Sequence, residues 1–163
     1  MAPRHAGPQN TLRVGVISDT HGLLRPQATE FLRGCDHILH GGDIGSAQIL
    51  EQLAALAPVT AVRGNNDTQA WAASLADTRL LQLAGVRCYV IHDLNELRID
   101  PGAAAVQVIV SGHSHQPSLS ERAGIIYLNP GSAGPRRFSL PVSVAEIRIE
   151  GASITPRLVQ LQV

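Results

Sequence analysis

The chain has 163 residues and a mass of 17.3 kDa, of which 44% is hydrophobic and 16% charged, so it suits one globular domain that buries about 70% of its unfolded surface. Its 13 cationic residues, all arginine, balance 13 acidic ones, and this zero net charge argues against a basic nucleic-acid footprint. Aromatic content is 3%, too low for a base-stacking platform, and no apolar run approaches the roughly 18 residues of a membrane-spanning helix.

Residues 1–11 are polar, hold two prolines and lack the apolar core of a signal peptide. They are expected to form a flexible N-terminal tail, with residues 12–163 as a single domain. Leu12 to Ser18 reads as a buried strand. Pro26 to Arg33 opens a helix with proline near its first position. Asp36 to His40 is a second strand, stopped by Gly41 and Gly42. Ser46 to Ala57 is the clearest helix: Ser46 stands at the N-cap, Ile49, Leu50, Leu53 and Leu56 recur at helical spacing, and Pro58 follows. Val59 to Val62 is a third strand. Arg79 to Leu83 and Arg87 to Ile91 are strands joined around Gly85. Val106 to Val110 and Ile125 to Leu128 follow, and Val142 to Glu150 with Ile154 to Gln162 predict a hairpin about Gly151. The β-α-β-α-β start implies an α/β protein with a parallel sheet; the β-rich remainder implies a second, mixed or antiparallel sheet.

The chemistry-bearing residues follow the strands. Asp19 and His21 come after the first, Asp43 after the second, and Asn65, Asn66 and Asp67 after the third. His92 and Asp93 end the Arg87 strand, and His113 and His115 follow the Val106 strand. Ligands of open α/β sheets gather outside the carboxyl ends of strands. Any one of these residues alone fits a cap or a turn. Together they converge on one edge as a set of carboxylates, imidazoles and an amide oxygen. That set suits Mn²⁺, Fe²⁺, Zn²⁺, Co²⁺ or Ni²⁺, and no cysteine stands at a strand end to make a zinc–thiolate site. Cys35 and Cys88 lack metal or redox spacing and fit a reducing, cytoplasmic setting.

The series Asp19-x-His21, Gly42-Asp43, Gly64-Asn65-x-Asp67, His92 and Gly112-His113-x-His115 resembles the calcineurin-like metallophosphoesterases, in family order. The turn Asn129-Pro130-Gly131-Ser132 resembles the small bacterial phosphodiesterase branch (YfcE-type), whose relatives include a retromer subunit of the same fold. The resemblance implies a four-layer αββα sandwich of two mixed sheets flanked by helices, with a di-metal site at the carboxyl ends of the strands. It implies two divalent ions, Mn²⁺ foremost. Asp19, His21, Asp43 and His115 would hold one; Asp43, Asn65, His92 and His113 would hold the other; Asp43 would bridge them. It further implies a metal-dependent phosphodiesterase or phosphatase, in which a metal-bridging hydroxide attacks phosphorus in line. The alternative is a non-catalytic interaction module that keeps the fold.

Many phosphoesterases of this superfamily carry His directly after the ligand Asn. Here that position is Asn66, which donates a hydrogen bond but cannot act as a general acid. Activity is therefore expected to be best on good leaving groups such as aryl phosphates. Asn65 and Asn66 join Asp43 as candidate catalytic residues. Asn66, Arg63 and Arg137 are candidates for binding phosphate, since Arg pairs bidentately with it. Asp93 either orients a neighbouring histidine or caps the next turn, and His40 is placed to support the site. The expected partner is a small phosphate ester, with no membrane and no strong nucleic-acid signal. Apolar residues in Asp67 to Ala76 and the C-terminal strands leave homo-oligomer formation open.

Overall fold

The computed structural model describes residues 11–163. The expected tail lies outside the described residues except for Thr11, which opens the first strand. The elements in chain order are β1 (Thr11–Ile17), α1 (Pro26–Leu32), β2 (His37–His40), α2 (Ala47–Ala54), β3 (Val59–Ala61), β4 (Thr78–Leu83), β5 (Val86–Ile91), β6 (Val108–Val110), β7 (Ser118–Arg122), β8 (Ile125–Asn129), β9 (Ser143–Glu150) and β10 (Ser153–Gln160). Short 3-10 turns cover Ala70–Ala72 and Leu94–Glu96.

Two five-stranded mixed sheets result, in the orders β10-β9-β1-β2-β3 and β4-β5-β6-β8-β7. Parallel pairing of β1 with β2 and of β2 with β3 comes from the two crossover helices; the antiparallel partners come from the later hairpins. The sheets face each other through alternate residues. Val14, Val16 and Leu39 of the first meet Cys88, Val90, Val108 and Val110 of the second. The outer face of the first sheet is covered by α1 and α2, which bury Ala28, Leu32, Ile49 and Leu53. Ser46 occupies the N-cap position of α2 but makes no side-chain cap bond.

The outer face of the second sheet carries a thinner layer. Tyr89, Ile91 and Ile109 are covered by Leu94, Leu97 and Ile99, from the Leu94–Glu96 turn and the loop after it. The segment is short, and Pro101 and Gly102 interrupt it, so no α-helix forms. Trp71 and Leu75 pack inward against the first helical layer. Both cysteines are free and buried, and burial pushes the Cys88 thiol up to about 11. No helix among the described residues is long and apolar enough to cross a membrane.

Candidate metal centre

The loops leaving β1, β2, β3, β5 and β6 meet at one edge of the sandwich. Backbone bonds lace them together: Asp19, His21 and Gly22 donate to the carbonyls of Gly42, Asp43 and Ile44, which continues the β1–β2 pairing past the strands. Gly112 does the same to His92. Asp67 carries no outward role; its buried carboxylate accepts from Ile44, Gly45 and Gly64 at 2.9–3.1 Å, which ties the β2 loop to the β3 loop.

Asp43 stands at the middle. Its Oδ2 lies 3.3 Å from His92 Nε2 and 3.8 Å from His21 Nε2. Asn66 donates its backbone N–H to Oδ1 and its side-chain amide to Oδ2. Asp19 is fully buried. Its Oδ2 accepts from Ser18 Oγ at 2.7 Å and from the His113 backbone at 3.1 Å. Its Oδ1 has no hydrogen-bond partner among the described residues and lies 3.3 Å from His115 Nε2 and 3.7 Å from His21 Nε2. Those two ring nitrogens are 3.3 Å apart on stacked rings. Across the site, Asn65 Oδ1 lies 2.9 Å from His92 Nε2 and 3.1 Å from His113 Nδ1.

This donor set fits divalent cations. A bare carboxylate oxygen in a buried place is costly unless a positive group answers it. Here Asp19 Oδ1 converges with His21 and His115, and Asp19, Asp43 and His92 converge as a second group. Further contacts aim the rings. His92 Nδ1 donates to the Gly41 carbonyl at 2.7 Å, which leaves Nε2 for the site. Asp93 Oδ1 caps the 3-10 turn through the Asn95 N–H, and its Oδ2 lies 3.8 Å from His113 Nε2, beyond hydrogen-bond distance.

The electrostatics favour ionised carboxylates at Asp19 and Asp43. Burial works to raise Asp43, but hydrogen bonds from His92 and the Asn66 backbone, with the His92 and His21 charges, outweigh it and hold the carboxyl at about 2. Asp19 is lowered against its burial by His21, Ser18 and the charges of His92 and His115. Burial works to lower His92, but the Asp43 hydrogen bond and the Asp19 charge raise it. His115 is lowered by burial, helped by the charge of Arg137.

The backbone is strained here. Asp19, His21, Asp43, His113 and His115 all adopt left-handed φ values between 44° and 72°. A non-glycine residue in that region costs about 1–2 kcal/mol, and such residues cluster at functional sites. Two glycines admit the close approaches. A Cβ on Gly64 would strike the backbone N and Oδ1 of Asp43, and one on Gly112 would strike Ser18 Oγ and Asp19 Oδ2.

All seven expected ligands therefore lie at one edge, and Asn66 joins them. Arg63 lines the adjoining cleft, but its Nε and Nη2 both bond Asp77 Oδ1, at 3.0 and 2.7 Å. Arg137 is exposed, near enough for its charge to act on His115. Several supports had no role assigned in the sequence. Asn129 donates to the Gly112 carbonyl and Ser114 Oγ, Ser132 donates to the Asp19 carbonyl, and Ser18 holds the Asp19 carboxylate. The Asn-Pro-Gly-Ser turn was visible, but its partners lie more than 100 residues away for Ser132 and could not be read from spacing.

Residues 12–152 match the calcineurin-like phosphoesterase superfamily domain. A probable metallophosphoesterase from Methanothermobacter thermautotrophicus is 35% identical over 159 residues, which spans 90% of this chain and 91% of that protein. The fold is also that of Vacuolar Protein Sorting 29 from Cryptosporidium parvum, with a TM-score of 0.79 at 20% identity over 93% of this chain and 92% of the other. A structure described as a novel archaeal phosphodiesterase gives a TM-score of 0.71 at 18% identity, over 91% and 100% of the two chains.

Proposed function

The chain belongs to the calcineurin-like phosphoesterase superfamily, and from that premise we propose that it is a metal-dependent phosphodiesterase acting on small phosphate esters. The observation that carries the reading is the bare, buried Oδ1 of Asp19 facing His21 and His115, with Asp43 between His21 and His92.

Asp19, His21, Asp43 and His115 are proposed to hold one ion and Asp43, Asn65, His92 and His113 a second, with Mn²⁺ the expected metal. When bound, such a pair supplies positive charge to the phosphoryl oxygens and makes water a nucleophile near neutral pH. The chain's own residues do the rest. Asn66 fixes the Asp43 oxygen through which the two halves meet. Asn66 and Arg137 are the proposed phosphate contacts; Arg63 is held instead by Asp77. Asn66 has no acidic proton to give, so the ester oxygen departs on its own acidity and aryl esters outrun alkyl ones. Two buried free thiols support a reducing, cytoplasmic compartment.

The test is hydrolysis of bis(p-nitrophenyl) phosphate by chelator-stripped protein, with and without Mn²⁺. Metal-dependent release of p-nitrophenol is the expected result. Folded protein that stays inactive with every divalent ion overturns the reading and favours a non-catalytic interaction module.

A further inference from the structure

A cleft of about 800 Å³ opens beside the candidate centre, with Asn65, His92 and His113 on the side that faces the ligands. Its size is that of a small-molecule site. Its far walls come from the loop after β3 and the 3-10 turn after β5, neither of which supplies a candidate ligand beyond Asn65 and His92.

The charge of those walls is one-sided. Asp77, Asp93 and Glu96 line them, against the single cation Arg63. Arg63 is spent: two of its nitrogens bond the same Asp77 oxygen. Asp93 keeps one oxygen on the Asn95 N–H. Glu96 lines the cleft, is exposed and has no ion-pair partner among the described residues, so its carboxylate is free to meet a cation there. Thr68, Gln69 and Thr78 add oxygen acceptors, and no Phe, Tyr or Trp lines the space.

Resting on the phosphodiesterase reading, we propose that this cleft selects esters whose alcohol arm carries a primary ammonium group, with Glu96 as the specificity-determining carboxylate. The phosphate lies over the ligand cluster and the arm runs along the Glu96 wall. Carboxylate, amide and hydroxyl oxygens answer three N–H donors. A quaternary ammonium lacks the aromatic cage it favours, and an anionic arm meets like charge.

The experiment uses Mn²⁺-loaded protein and two readouts. Calorimetry compares binding of 2-aminoethyl phosphate with that of propyl phosphate, and turnover compares their p-nitrophenyl esters. The ammonium ligand is expected to win about tenfold in both, as for one or two partly screened charge pairs. In Glu96→Gln the gap shrinks to about threefold or less, through loss of affinity and rate for the ammonium ligand alone. Equal binding of the two ligands, or a preference that survives Glu96→Gln, overturns the assignment. A binding preference without any diester hydrolysis overturns the phosphodiesterase reading and leaves the cleft assignment standing. Release of ethanolamine from soluble glycerophosphoethanolamine, against release from phosphatidylethanolamine vesicles, tells a free ester from a lipid headgroup.

Discussion

Asn66 grips Asp43 twice: its backbone N–H reaches Oδ1 at 2.8 Å and its side-chain amide reaches Oδ2 at 3.0 Å. The second bond falls on the oxygen that also faces His21 and His92. Asn66→Ala keeps the backbone bond and frees that oxygen to turn. Loss of such an orienting partner weakens metal binding about 10–100-fold. A Mn²⁺ titration of activity on the Asn66→Ala protein should move by that factor with little change in Tm; an unmoved titration would show that the amide does not position Asp43.

Gly64 abuts Asp43 so closely that a methyl group would meet its backbone nitrogen as well as its carboxylate. No rotamer change relieves a backbone clash, so Gly64→Ala must shift the β2 loop or the β3 loop. The expected cost is about 1–3 kcal/mol of stability. Hydrolysis should fall about 100-fold, since small misplacements of reacting groups have that effect. Chemical denaturation and a bis(p-nitrophenyl) phosphate assay on one preparation read both.

His40 is buried and held neutral. Thr20 Oγ1 donates to the Ile44 carbonyl, so it can only accept from His40 Nε2–H at 3.0 Å, while His40 Nδ1 accepts the Gly42 N–H. Burial pushes its pKa from 6.5 down to about 4, against the opposing charges of Asp19 and Asp67. The unfolded chain therefore takes up a proton first as pH falls. Stability from this group is present above pH 6.5 and is lost down to about pH 4, to a total of about 3 kcal/mol. Metal-free wild type should lose that much more than His40→Gln across the window, measured by denaturant titration at each pH; parallel curves would contradict it.

His21 sits at φ 44° and is partly exposed. His21→Gly relieves the left-handed strain and deletes a candidate ligand at once. Metal-free protein should gain about 1 kcal/mol. The stabilisation that Mn²⁺ confers on wild type should shrink in the variant, since ligand-linked stability follows affinity. Thermal melts with and without Mn²⁺ separate the two effects, and a variant destabilised in both states would refute the strain argument.

The sequence announced the strands with buried, alternating or apolar runs, and these are β1 to β6 and β8 to β10. It did not announce β7, whose residues Ser118–Arg122 are all exposed: a solvated edge strand carries no apolar period. Asp19, His21, Asp43, Asn65, His92, His113 and His115 were legible because each follows a strand closely, and parallel strands deliver their carboxyl ends to one edge. Asp67 and Ser132 were not, because what they do is accept or donate to backbone of distant loops. Arg63 looked free for phosphate in the sequence; only the fold brings Asp77 against it. The Glu96 wall likewise exists only once the short turn after β5 lies over the second sheet.

Asp19, His21, Asp43 and Asn65 come from loops of the first sheet, whereas His92, His113 and His115 come from loops of the second. Polar contacts tie the two together at this margin, among them Asn65 to His92 and His113, His92 to the Gly41 carbonyl, Asp19 to the His113 backbone and Ser132 to the Asp19 carbonyl. The sandwich is thus like a book whose leaves are pressed together by apolar side chains along their length and riveted at one margin. Cations seated there would close the rivet, and hydrogen exchange at that margin of both leaves should slow together when they bind. On this reading the candidate metal centre doubles as a clasp between the two sheets.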